Sequence, residues 1–173
     1  AILQQLKMLH IGGMGIPKQI FDSLKPPTIV VFTGQMIDRA GQHPQKFFHQ
    51  MEEDTKEKIK ACLDNIHAQI GYCSAACGSD ILFIEAMLER GAEVNIVLPF
   101  DKEDFIEFNV RHAGPRWESR FAKVLEQANS VRFATEERYL GHNMLYRFSN
   151  LVLHGLAEMR GDFLLSPPHL VAV

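Results

Sequence analysis

The sequence predicts an α/β fold of three layers, in which helices cover both faces of a parallel sheet of about five strands. Apolar runs of strand length alternate along the chain with segments of helical periodicity. These runs are apolar throughout, as is typical of strands that are buried on both faces. A chain of 173 residues, 46% of them hydrophobic, is long enough for one domain with a sizeable core.

The first 24 residues predict a helical lead-in, and the main domain is placed at residues 25–173. Three leucines have the spacing of one helical face, and a glycine-rich turn separates them from a second short helix. Lys25-Pro26-Pro27 then opposes helix formation, because the residue before a proline is pushed toward extended conformations. A strand is therefore expected to begin directly after these prolines.

The first half of the main domain predicts two strands and a surface helix. Residues Thr28–Thr33 are β-branched and apolar, which favours a strand. The polar loop from Gly34 to Pro44 is long enough to cover a site. From Gln45 to Ala68, apolar residues recur at helical spacing with charges on the other face, which indicates a surface helix. A second strand follows at Gln69–Cys73.

The second half predicts a buried helix and then further alternating elements. Ser79–Arg90 is apolar on nearly every side, so it should lie in the core and end at Gly91 in the left-handed conformation. The remaining elements are a strand at Val94–Leu98, an irregular or briefly helical segment at Phe100–His112, a helix from Trp117 to Asn129, a strand at Ser130–Ala134, a helix at Asn143–Arg160 and a strand at Leu170–Val173.

The expected sheet has the strand order 3-2-1-4-5, with right-handed crossovers between its parallel strands. In open parallel sheets ligands bind at the carboxyl ends of the strands. The loops that begin at Gly34, Ser74, Phe100 and Thr135 should therefore converge on one site.

The loop from Ser74 to Gly78 is the strongest local indication of a ligand site. Its small side chains would let backbone amides approach a ligand, and the helix that follows directs its positive end to the same place. Such a loop would favour anionic or sugar-phosphate ligands. The same sequence is also typical of a tight turn whose small residues only fit against a neighbouring strand, and the spacing leaves both interpretations open.

Several polar residues are candidates for ligand contacts or catalysis. Asp80 starts the buried helix, where the helix dipole favours a carboxylate and where it could accept a hydrogen bond from a ligand hydroxyl. Glu136 and Glu137 follow a strand, at a position suited to a general base or to a ribose-binding carboxylate, although acids at a loop start are also common for solubility. Arg147 and Asn150 lie one turn apart on a helix and could present donors to a phosphate or a base.

Composition argues against other classes of function. The net charge of −3, from 18 basic and 21 acidic residues without a basic stripe, gives no reason to expect a nucleic-acid partner. Three cysteines and an N-terminal segment unlike a signal peptide favour a cytoplasmic location. No apolar stretch is long enough for a membrane span. Cys73 and Cys77 have a poor spacing for a metal site, so neither a metal nor a cofactor is expected.

Three consecutive segments resemble the pattern of the Smf/DprA and Lonely-Guy (SLOG) Rossmannoid superfamily, across roughly residues 28–173. They are Ser74-Ala-Ala-Cys-Gly-Ser-Asp80, Glu85-Ala-Met-Leu-Glu-Arg-Gly91 and Val94-Asn-Ile-Val-Leu-Pro99. The helix around Arg147 and Asn150 resembles the Arg-and-Asn helix of the DNA-processing branch. The segments ending at Asp38, Asp80 and Leu140 look like uncharacterised domains of bacterial multidomain signalling proteins, beside tetratricopeptide repeats or nucleotide cyclases.

The resemblance implies a Rossmann-like fold that binds nucleotides, nucleotide sugars or related phosphorylated molecules, as a regulatory domain of a larger signalling protein. The ligand-binding residues expected on this basis are Thr33, Gly34, Ser74, Ala75, Gly78, Ser79, Asp80, Pro99, Arg147 and Asn150. Gly34 would allow a ligand to approach closely.

Two other functions stay open. One is a nucleotide N-glycosidase of the phosphoribohydrolase type, with Glu136 or Glu137 as base or nucleophile. The Pro-Gly-Gly-x-Gly-Thr-x-x-Glu signature of the Lonely-Guy enzymes does not occur in this sequence, so this hydrolysis is the alternative rather than the main expectation. The other is a module that forms a homodimer through its apolar helices and needs no ligand.

Overall fold

A computed structural model describes residues 2–39, 41 and 49–173 of the chain and confirms the three-layer α/β fold. All five strands are parallel and form one sheet. The strands are β1 (Thr28–Thr33), β2 (Ala68–Cys73), β3 (Glu93–Leu98), β4 (Ser130–Phe133) and β5 (His169–Ala172). The helices are α1 (Ile2–Ile11), α2 (Lys18–Ser23), α3 (Glu52–Asn65), α4 (Ser79–Glu89), α5 (Lys102–Asn109), α6 (Pro115–Gln127) and α7 (Met144–Leu164).

The order of the strands is β4-β3-β2-β1-β5, so the predicted order 3-2-1-4-5 is wrong. Helix α6 packs on α4, on the same face of the sheet as α3. Right-handed crossovers on one face keep moving in one direction, which places β4 beyond β3. Helix α7 lies on the opposite face and returns the chain to the free edge of β1, where Val30 pairs with His169 of β5. Helical periodicity shows that a helix exists but not which face of the sheet it covers.

The core has two parts, one on each face of the sheet. Alternate residues of β1 point to opposite faces, so Val30 and Phe32 contribute to one part while Ile29 and Val31 contribute to the other. On the first face the rings of Phe32 and Phe83 are stacked with 4.4 Å between their centroids. The second face is covered by α7.

Helix α4 is the most deeply buried helix of the described part of the chain, as its composition predicts. Its residues Ile81, Leu82, Phe83 and Ile84 have no exposed surface. The helix ends before Gly91, whose φ of 69° is the left-handed conformation expected there.

Other boundaries differ from the sequence prediction by a few residues. Helix α7 continues to Leu164, four residues past the expected end at Arg160. Helix α5 is regular, where an irregular or briefly helical segment was expected, because Asp101 caps it by accepting hydrogen bonds from the amides of Glu103 and Asp104. The predicted start of α3 at Gln45 lies outside the described residues. Within the described part of the chain, no helix has the length and apolarity needed to cross a bilayer.

Candidate ligand-binding cleft

A cleft of about 870 Å³ opens at the carboxyl ends of the strands, between the sheet and the N-terminal half of α7. This is the edge of a parallel sheet at which ligands generally bind. Its walls come from the ends of β1, β2 and β3, from α5, from the loop between β4 and α7, and from α7 itself. A smaller hollow of about 430 Å³ between α1 and α2 is mainly apolar and shares no lining residue with this cleft.

Seven of the ten predicted ligand-binding residues line the cleft. They are Thr33, Gly34, Ser74, Asp80, Pro99, Arg147 and Asn150. The other three are Ala75, Gly78 and Ser79, which are buried behind the wall of the cleft and do not line it. The sequence therefore locates the cleft, although three of the residues predicted to face it are buried behind its wall.

Gly78 serves a contact within the protein. The segment after β1 pairs with it through an antiparallel bridge between Met36 and Gly78. A Cβ atom at Gly78 would lie 2.6 Å from the carbonyl oxygen of Gln35, and its φ of 110° also favours glycine. The geometry of Gly78 therefore favours the second interpretation, a tight turn whose small residue fits against a neighbouring segment of the same chain.

Two of the amides expected to hold phosphate are already used inside the protein. The amide of Ala76 donates to Oδ2 of Asp80 at 3.3 Å. The amide of Cys77 donates to the carbonyl oxygen of Asn109 at 3.0 Å. A phosphate group held by the whole Ser74–Gly78 loop, as predicted, would have to displace these two hydrogen bonds.

Gly34 also has a packing role. A Cβ atom there would lie only 2.3 Å from Cβ of Ser79, so the glycine lets the end of β1 approach the first turn of α4. Gly34 lines the cleft as predicted, but the close approach that it permits is the approach of α4.

Asp80 is the one carboxylate among the described residues that line the cleft. It is only 9% exposed, at the N-terminus of α4. Burial raises the pKa of Asp80 to about 7, although hydrogen bonds from the backbone of Ala76 and Gly34 act in the opposite direction. Asp80 can therefore gain or lose a proton near neutral pH and can both donate and accept a hydrogen bond.

Two arginines and the amide side chain of Asn150 line the same cleft. Arg147 and Asn150 come from α7, as the sequence predicts. Arg39 comes from the segment after β1, and its Nη2 donates to the carbonyl oxygen of Phe108 at 2.8 Å. Arg39 was not predicted, because it follows β1 in a loop without periodicity. Its position after a strand that ends at the cleft was the available signal.

An aromatic wall was also missed by the sequence prediction. Phe108, Tyr139 and Tyr146 line the cleft, and the ring of Tyr139 contacts the other two, with 4.5 Å between the ring centroids of Phe108 and Tyr139. Asn109 lies beside them and is 3% exposed. These residues come from α5, the loop before α7 and the first turn of α7, which only the tertiary structure brings together.

Glu136 and Glu137, the predicted catalytic carboxylates, are exposed and do not line the cleft. The backbone of Glu137 is held in the loop, since its amide donates to Oγ1 of Thr135 and its carbonyl oxygen accepts from the amide of Asp101. The geometry gives no support to their catalytic role, which stays a prediction.

Cys73 and Cys77 are buried free thiols behind the cleft wall. Burial raises the pKa of Cys77 to about 12, so this side chain is a thiol near neutral pH. Among the described residues no cluster of three histidine, cysteine or acidic side chains is arranged to hold a metal ion.

The chain matches no protein-family model. No curated protein matches its sequence either.

Proposed function

We propose that this domain binds a nucleotide or a nucleotide-derived phosphorylated molecule in the cleft at the carboxyl ends of the strands. In this proposal it acts as the sensing domain of a larger signalling protein. The observation that carries the proposal is that two arginines, Arg39 and Arg147, line one cleft together with the buried carboxyl group of Asp80.

The charges in the cleft suit a phosphorylated sugar. Arginine donates paired hydrogen bonds to phosphate oxygens, and its interaction with phosphate strengthens when water is excluded. Asp80 lies deeper, at the end of the sheet, where its carboxyl group can bind a sugar hydroxyl. A cleft of about 870 Å³ is within the usual size range of small-molecule sites.

Isothermal titration calorimetry against nucleoside monophosphates, nucleoside diphosphates, cyclic nucleotides and nicotinamide dinucleotide tests the proposal. We expect at least one compound to bind with micromolar affinity. Arg147→Gln should weaken that binding about tenfold or more, because one charge-assisted contact is lost. The matched control is Arg132→Gln on β4, which removes an exposed arginine outside the cleft and should leave binding unchanged. A flat response across the whole panel would contradict the proposal.

A second candidate function, the formation of a homodimer, is favoured by the outer face of α7. Five large apolar side chains on this face are between 46% and 79% exposed: Met144, Phe148, Leu151, Met159 and Phe163. At about 200 Å² for each such residue, their exposed fractions amount to about 700 Å² of apolar surface. That approaches the roughly 800 Å² that each partner of a standard interface buries.

The arrangement of this apolar face suits a second copy of the chain. Gly155 lies at its centre with open space around it, and Leu151 and Met159 lie four residues to either side. A two-fold axis at Gly155 would pack two α7 helices antiparallel, with each leucine against the methionine of the other copy.

Sedimentation velocity tests the dimer directly. We expect the unaltered chain to sediment as a dimer at micromolar concentration and Leu151→Glu to sediment as a monomer. Leu140→Glu is the matched control, because it places the same charge on an equally large exposed residue of the loop before α7 and should leave the dimer intact. A monomer at high concentration for the unaltered chain would exclude this function.

A further inference from the structure

One part of the cleft, the aromatic end, is lined by aromatic rings and is bordered by Arg39, which donates to the carbonyl oxygen of Phe108. Its side chains are Phe108, Tyr139 and Tyr146, all of them partly exposed to the cleft. The centroids of Tyr139 and Tyr146 are 5.9 Å apart, and both rings pack on the buried ring of Phe100. A phosphate group gains little from such an apolar aromatic surface, whereas a planar heterocycle stacks on it.

The aromatic end is held in place before any ligand arrives. The amide of Tyr139 donates to Oδ2 of Asp104 at 2.9 Å, and the guanidinium group of Arg138 forms a bidentate ion pair with the same carboxylate. The loop that carries Tyr139 is thereby fixed to α5. A ring that is already ordered binds a ligand without a further entropic cost.

A polar group at the same end lacks a partner. Oδ1 of Asn109 accepts a hydrogen bond from the hydroxyl group of Tyr146 at 3.1 Å. Nδ2 of Asn109 is buried and has no hydrogen-bond partner within the described part of the chain. Buried amide donors are almost always paired in native proteins, so an unpaired one beside a cleft indicates that a bound group completes it.

We propose that the aromatic end of the cleft is a nucleobase subsite. The base stacks on Tyr139 and its neighbours, and an acceptor atom on its edge pairs with Nδ2 of Asn109. This inference rests on the proposed function and narrows it, because the ligand must then carry an aromatic base and not only a phosphorylated sugar. Amide hydrogen bonding combined with aromatic stacking is a general way in which proteins recognise unpaired bases.

The test compares ligands with and without a base on the unaltered chain. Calorimetry is carried out with adenosine 5′-monophosphate, guanosine 5′-monophosphate and uridine 5′-monophosphate, and with ribose 5-phosphate as the base-free probe. We expect the preferred nucleotide to bind about tenfold or more tightly than ribose 5-phosphate, which is the usual gain from one stacked base. Equal binding of the nucleotides and ribose 5-phosphate would overturn the subsite and leave the proposed function intact. Binding of none of these probes would also overturn the subsite, whereas the proposed function is contradicted only when the wider panel of nucleotides gives a flat response too.

Variants of Tyr139 assign the gain to the aromatic wall. Tyr139→Ala should reduce nucleotide affinity about tenfold and leave the affinity for ribose 5-phosphate unchanged, whereas Tyr139→Phe should keep both. Phe133→Ala removes an exposed aromatic ring outside the cleft and should change neither affinity. Equal weakening of nucleotide and ribose 5-phosphate by Tyr139→Ala would show a structural role and overturn the assignment.

Discussion

Asp80 couples the cleft to pH. Its pKa of about 7 lies above the value of about 3.9 expected in the unfolded chain, so the folded protein holds the proton more tightly. Asp80 therefore contributes its full stabilisation below about pH 4 and loses it as pH rises toward 7. Above that range the protein retains a buried carboxylate with a desolvation cost.

Asp80→Asn should remove this pH dependence, because an amide resembles the protonated acid. We expect the variant to be more stable than the unaltered chain at pH 8, by up to about 4 kcal/mol, and to show little difference at pH 4. Urea unfolding at both values of pH measures the effect. Glu126→Gln, at an exposed acid of α6 away from the cleft, is the control and should show no such trend. Equal destabilisation by Asp80→Asn at both pH values would contradict the account.

Gly78 has a backbone angle that is unfavourable for other residues, and it also makes a close contact. Comparison of Gly78→Ala with an alanine substitution at a glycine that lacks such a contact separates the two effects. Gly141 has a φ of 78° and open space around it, so Gly141→Ala should cost only about 1–2 kcal/mol of backbone strain. Gly78→Ala adds a clash with the carbonyl oxygen of Gln35 and should cost about 3 kcal/mol or more. Chemical denaturation compares them, and equal costs would mean that the bridge after β1 yields easily.

At the scale of elements, Arg120 of α6 joins three helices. Its guanidinium group donates to Glu85 of α4 at 2.6 and 2.8 Å and to Glu52 of α3 at 2.7 Å. It also lies 4.0 Å from the centroid of the Trp117 ring. The side chains of Arg120 and Glu52 are only 14% and 12% exposed, so removal of the cation leaves carboxylates with poor access to water.

Arg120→Ala should destabilise the domain by about 2–3 kcal/mol, because Glu52 and Glu85 lose a partly buried partner. Arg116 contacts the same Glu52, but its side chain is 67% exposed, so Arg116→Ala should cost less than about 1 kcal/mol. Thermal unfolding in parallel compares the two variants. Similar costs for both would show that solvent screens the network throughout.

The loop between β4 and α7 depends on Asp104 of α5. Hydrogen bonds from Arg138 and from the amide of Tyr139 lower the pKa of Asp104 to about 2. The hydrogen bonds from Arg138 and Tyr139 to Asp104 act as a clamp on this loop. The clamp is therefore present at neutral pH and is lost only as pH falls toward that value.

Asp104→Asn should release the clamp, because it removes the charge and half of the acceptor capacity. Hydrogen exchange should then be faster at the amides of residues 137–141, with little change in α4. Glu103→Gln, an exposed acid of the same helix, is the control and should leave exchange unaltered. Unchanged exchange in Asp104→Asn would mean that packing of Tyr139 on Phe108 holds the loop without the carboxylate.

The sequence predicted the elements well where hydrophobic periodicity is strong, as in β1, α4 and α7. It located the strand ends that form the cleft, and it also found two cleft residues on helices, Asp80 and Arg147. It could not find Asn109 or Tyr139, because their positions in the cleft arise from the packing of α5 against α7 and against the loop before it, both distant in sequence. Local sequence also could not show that the amides of Ala76 and Cys77 are bonded inside the protein.

At the scale of the whole molecule, the cleft follows from the path of the chain. From β1 to β4 the sheet grows in one direction with its crossover helices on one face, and α7 then crosses the other face to β5. The connection from β1 to β2 and the connection from β4 to β5 therefore lie on opposite faces of the sheet. Because β1 lies between β2 and β5, a crevice opens above its carboxyl end. The same crossing helix supplies Arg147 to this crevice on one side and the apolar face around Gly155 to solvent on the other.

If two copies pair along α7, the stability of the whole molecule depends on its concentration. A dimer that unfolds to two separate chains gains about 1.4 kcal/mol of apparent stability for each tenfold increase in concentration, by mass action. The unfolding midpoint of the unaltered chain should therefore rise by a few degrees between about 1 and 100 μM, whereas that of Leu151→Glu should stay constant. Differential scanning calorimetry at several concentrations measures both. A midpoint of the unaltered chain that is independent of concentration would place the apolar face of α7 outside any self-association.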